Sequence, residues 1–129
     1  MISKNVTLTI NQDNVKLSSK LIAYVEDGAF AWNMKLVNNP YIFDNDDNSF
    51  LASVIIMKPD KSFMNISCDV INKDTVVISV PKSYIDELDE SGTFLFQIRL
   101  HSDIDKSGKF VDSVSLPPFT AEIKRRIDM

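Results

Sequence analysis

Along most of this chain apolar side chains recur at every second residue, and that spacing leaves few folds open. Phe30, Trp32, Met34 and Leu36 alternate with their neighbours, as do Val6, Leu8 and Ile10. Successive side chains of an extended strand point to opposite faces, so a period of two marks a strand with one face in a core. The same spacing runs through Phe94, Phe96, Ile98 and Leu100, with Leu95, Gln97, Arg99 and His101 facing outward. It returns in Phe119, Ala121 and Ile123. Further strands are predicted at Leu21–Val25, Phe50–Met57, Phe63–Ile71, Thr75–Val80 and from Phe110 onward. Turn-forming residues separate them at Asn11–Asn14, Glu26–Gly28, Lys58–Lys61 and Asn72–Asp74.

The period changes once. Pro81-Lys82-Ser83-Tyr84-Ile85-Asp86-Glu87-Leu88 reads as two turns of helix, with Tyr84, Ile85 and Leu88 on one face. Pro81 stands early in it, where a missing N–H costs nothing. Short strands at close intervals, with one short helix between two late ones, favour a sandwich over a sheet built from βαβ units. The segment Glu90-Ser91-Gly92-Thr93-Phe94-Leu95-Phe96 resembles the immunoglobulin corner, with phenylalanines where that motif has tyrosine and cysteine. The expected fold is all-β, an Ig-like antiparallel β-sandwich.

A chain of 129 residues fits one domain, 1–129, and can bury roughly two thirds of its unfolded surface without metal or disulfide. A formal charge of -4 supplies no basic stripe for phosphates, which argues against nucleic acid as a partner. Lys124, Arg125 and Arg126 read as a solvated end. Cys68 cannot form an internal disulfide alone, and its alternation with Ile66 and Val70 makes it a small core residue. The first residues lack the apolar run of a signal peptide, and no stretch reaches the ~20 apolar residues of a membrane helix. The expectation is a chain made in the cytoplasm, in which the sequons at Asn5 and Asn65 go unused.

Chemistry is sparse. His101 is the one histidine, no G-x-S-x-G elbow is present, and one Cys with one His cannot fill a zinc site. His101 is expected at the surface, at a strand end. Asp44, Asp46 and Asn48 match the first ligands of a calcium loop, but Ser49 and Ile55 stand where that loop needs Gly and Glu. The segment reads as a solvated loop, with weak calcium binding as its alternative. Three scattered glycines make no phosphate cradle. The reading is therefore a protein that is not an enzyme and carries no cofactor or resident metal. Tyr41, Phe43 and Phe50 flank the long polar loop, where an exposed aromatic patch would suit a sugar.

The order of features resembles the N-terminal domain of the upper baseplate protein family of phages infecting Gram-positive bacteria. The matching pieces are Val6-Thr7-Leu8-Thr9-Ile10, then Ala52-Ser53-Val54-Ile55-Ile56-Met57-Lys58-Pro59-Asp60-Lys61, then Val80-Pro81-Lys82-Ser83-Tyr84. Ser91-Gly92-Thr93-Phe94 and Ser115-Leu116-Pro117-Pro118-Phe119-Thr120 complete the series, which spans about residues 5 to 124. The resemblance implies a place in the virion, in a tail baseplate or a related phage-tail-like bacteriocin. It also implies other tail proteins as partners, and homo-oligomers. The sequence ends at Met129 without the linker and receptor-holding module of that family, which favours a small structural or adaptor subunit. Leu95 and Val111 are candidate contacts for assembly. Tyr41 and Phe43 are candidates for the alternative, a module binding cell-wall glycan.

Overall fold

Each alternating run of the sequence forms a strand. The computed structural model describes residues 2–24, 29–43, 49–81 and 92–124. Within them the chain is all-β: Ile2–Asn11 (β1), Asn14–Leu17 (β2), Ile22–Tyr24 (β3), Phe30–Val37 (β4), Leu51–Met57 (β5), Phe63–Ile71 (β6), Thr75–Val80 (β7), Gly92–His101 (β8), Ser113–Ser115 (β9) and Phe119–Lys124 (β10). The expected helix falls, except for Pro81, outside the described residues. The turn expected at Glu26–Gly28 and the loop Asp44–Asn48 also fall outside them.

The strands follow one hydrogen-bonded path, β2-β1-β4-β7-β6-β5-β8-β10-β3, with β9 added beside β8. Their apolar faces are in register along it. Met34 lies between Val6 and Val76, and Val54 between Ile66 and Ile98. Phe96 lies between Ile56 and Phe119. All of these join one buried cluster. A sheet with a single apolar face can remove that face from water only by folding against itself.

Two observations fix how far it folds. β4 and β8 are four steps apart in the path, about 19 Å on a flat sheet. Yet the rings of Trp32 on β4 and Phe96 on β8 are 5.3 Å apart. The border strands β2 and β3 are likewise joined by only residues 18–21, which reach about 17 Å at full extension. Along that link the Ser18 N–H donates to Thr7 O, Lys4 Nζ donates to Lys20 O, and the Glu122 N–H donates to Leu21 O. The link therefore runs from β1 to β10 and draws the ends of the path together.

The bend is in β6. Its first residues pair with β5, from Phe63 to Cys68, and its last three, Asp69 to Ile71, pair with β7. One strand thus borders two facing stretches of sheet, which share the core.

Three expectations need correction. The sheet is mixed: β1 runs parallel to β4 and β3 parallel to β10. Strand periodicity carries no information on pairing direction, and here β2, the 18–21 link and β3 return the chain to its starting end before β4 begins. Asn14–Leu17 is a strand, closing a hairpin with β1, where no separate strand was expected. The strand expected from Phe110 begins at Ser113; Phe110 makes only an isolated bridge with Ile104.

The turns have an identifiable chemistry. At Lys58–Ser62 the Lys61 N–H donates to Lys58 O and the Lys58 N–H to Ser62 O, while the Asp60 carboxylate accepts from the Ser62 N–H and hydroxyl. Lys61 is left-handed, at φ 73°. Residues 105–109 repeat these backbone bonds, with Gly108 at φ 84° in the position Lys61 occupies. Asn72 and Lys73 both have positive φ, the two-residue hairpin turn that matches sheet twist.

Phe96 contacts both Trp32 and the ring of Phe119 at 5.7 Å, so Phe96→Ala opens the core where the two stretches meet. It is expected to cost about 3–5 kcal/mol in chemical denaturation; a loss near that of an exposed site would contradict the folded-over sheet. Lys61→Gly relieves a side chain of the left-handed conformation and is expected to stabilise by about 0.5–1 kcal/mol, read as a higher denaturation midpoint at unchanged slope.

Candidate functional site

The outer face of β8 is where alternation fails. Phe94, Phe96, Ile98 and Leu100 face the core, so His101 should face water, yet its exposure is 0%. The expectation of a surface histidine is overturned. The cause is residues 102–112, a strap that continues the β8–β9 pairing as a hairpin and lays Phe110 over the ring. The Ser102 N–H donates to Asp112 O and the Val111 N–H to Asp103 O. The Phe110 ring stacks on the imidazole, centroids 3.5 Å apart and 5° from parallel.

Both ring nitrogens are engaged. Ser53 Oγ on β5 lies 2.9 Å from Nε2, and Ser113 Oγ on β9 lies 2.7 Å from Nδ1. Ser53 is itself 3% exposed. A serine within hydrogen-bond reach of a histidine has the spacing of a nucleophile and its base. Here the serine is sealed from solvent, and a second hydroxyl stands where a carboxylate would orient the ring. Burial, assisted by the nearby Arg99 guanidinium, holds the imidazole below its ordinary range. The cluster is a neutral plug under the strap. Sequence reasoning missed it because its members lie far apart in the chain; the one signal was three apolar residues, Ile104, Phe110 and Val111, in a mostly polar segment.

The strap carries apolar surface outward. Val111 is 57% exposed, Ile104 54% and Phe110 41%, so the candidate Val111 stands in a small apolar knob. Leu95 is half-buried on the outer face of β8, opposite Met57 and Thr120, and is less open than its outward register implied. Leu95 and Val111 lie at opposite ends of β8 and form no common patch by register.

The aromatic patch does not assemble as expected. Tyr41 is exposed beside Ile42, the Tyr41 N–H donating to Asn39 Oδ1. Phe43 packs against the core, and Phe50 lies within it. An open groove beside β1 and β4 is lined by Asn5, Thr7, Asn33, Lys35, Ile71 and Thr75 and is as apolar as it is polar. Among the described residues no three His, Cys, Asp or Glu side chains gather as a metal site.

No family model matches the sequence, and no curated protein matches it. Among solved structures the fold is similar to the N-terminal domain of phage TP901-1 ORF48, with a TM-score of 0.66 over 97% of this chain and 100% of that one. The aligned residues are 13% identical, so the likeness is one of backbone path.

Cys68 lies on β6 opposite Ala52, packed against the core, its thiol directed to Ile66 O at 3.8 Å. Burial, with the adjacent Asp69 carboxylate, pushes that thiol up to about 12. Alkylation at pH 8 is expected to be at least about a hundred-fold slower in the native protein than in denaturant, since only the thiolate reacts. Equal rates would contradict the packing of β6.

Proposed function

We propose that this chain is a structural, assembly subunit of a phage or phage-tail-like baseplate, held in the virion by contacts with other tail proteins and with further copies of itself. The observation that carries the reading is the end-to-end fold likeness to the N-terminal domain of a phage protein. It coincides with a sequence whose elements, in order, resemble the upper baseplate family. Neither alone would suffice, because a β-fold hosts many functions and each sequence motif is short. We read the folded-over sheet as an Ig-like sandwich in which β6 joins the two layers.

On this reading the domain acts by binding and not by catalysis. The Ser53–His101 contact supports this, being closed to substrate on every side. The strap knob of Ile104, Phe110 and Val111 is the better-placed contact surface, because it is apolar and exposed. Leu95 is a subsidiary candidate. Synthesis in the bacterial host and incorporation into the tail belong to the same proposal.

Co-expression with the proteins encoded beside it, followed by light scattering, is expected to yield a complex of defined stoichiometry. Val111→Asp is expected to weaken that complex about ten-fold or more, the effect of desolvating a charge at a contact. A strict monomer that leaves all of these proteins unbound would overturn the assembly reading. If that monomer bound cell-wall glycan and lost binding on Tyr41→Ala, a carbohydrate module would replace it.

A further inference from the structure

Burial keeps an imidazole uncharged, and the burial of His101 depends on a cover that comes from outside its own strand. Its ring touches β5 through Ser53, β9 through Ser113 and the strap through Phe110. None of these contacts is an anion. We propose that residues 102–112 are a pH-sensitive strap, docked on the outer face of β8 while His101 is neutral and released when the imidazole takes up a proton.

The charged groups around the ring set the direction. On β8, Arg99 lies on the same outer face two residues before His101, and its Nε donates to Ser115 Oγ at 3.3 Å. From β5 and β9 the ring receives only hydroxyls. The strap contributes Asp103, Asp105, Lys106, Lys109 and Asp112, all exposed to water. The hydrogen bonds of the ring go to Ser53 and Ser113 and not to a carboxylate of this set. The serine hydroxyls can rotate to accept from both nitrogens, so geometry does not forbid the cation. What opposes it is a charge without a counter-ion, under a cover that excludes water, beside a guanidinium.

The direction of the pH effect follows. The docked state holds its imidazole below the ordinary range, and the released state has an ordinary imidazole near 6.5. The released state therefore binds more protons, and docking weakens as pH falls through that range. Asp105 does not account for a response there. Hydrogen bonds from the Ser107 hydroxyl and from the backbone of Lys109 and Ser107 hold its carboxyl below the usual carboxylate range. The cover over the ring is a single side chain, since Phe110 rests one face on the imidazole and is itself 41% exposed.

Hydrogen exchange at pH 7.5 and 5.0, corrected for intrinsic rates, tests this on the amides beside the His101 ring, those of Ser102, Val111 and Asp112. Their opening is expected to rise about five-fold or more, with a ceiling of about thirty-fold set by an ordinary imidazole pKa. Amides of β1 and β4 should stay protected throughout. His101→Gln keeps a neutral donor and acceptor and should abolish the pH response. In the unaltered protein, the midpoint of strap opening should coincide with the titration of the His101 ring seen by NMR. Equal protection at the two pH values, a response that persists in His101→Gln, a loss shared equally by β1 and β4, or a mismatch of midpoints would each overturn the proposal.

Discussion

The apolar face that runs across the strands from β1 to β10 can leave water only against itself, and the rest of the architecture follows from that closure. It explains why Trp32 and Phe96 touch although four strand steps separate their strands. It also explains why β6 changes partner at Asp69, and why the link at 18–21 can be so short. The borders of the path are brief, four residues in β2 and three in β3, so few backbone groups are left for unwanted pairing.

Much of this was legible in the sequence. The rows Phe30-Trp32-Met34-Leu36 and Phe94-Phe96-Ile98-Leu100 face the core as alternation requires. Lys58–Lys61 and Asn72–Lys73 turn the chain where their side chains said they would. Pairing direction was not legible, because a parallel and an antiparallel partner ask the same alternation of Val6, Leu8 and Ile10. Asn14–Leu17 carries only two apolar residues, Val15 and Leu17, too few to stand out between polar turns.

The candidate site was hidden for a different reason. His101 obeys its register and faces outward; it is buried because a segment from beyond the strand folds over it. Burial of that kind depends on Ser53, Phe110 and Ser113 converging in space, and no local pattern encodes it. The aromatic cluster failed in the opposite direction. Tyr41, Phe43 and Phe50 are close in sequence, but Phe43 and Phe50 turn inward and leave Tyr41 facing water. Outer-face function in a sheet protein is thus written mainly in the segments that leave the strands.

The partner change in β6 also decides where this domain could accept extra chain. A break or insertion between Phe63 and Ile71 would strike the pairing with β5 and with β7 at once. The tip at Asp105–Lys109 closes on itself through its own backbone bonds and the Asp105 carboxylate, so a graft there would leave every ladder of the sheet intact. Such a tip is a place where length and chemistry can vary while the folded body stays the same.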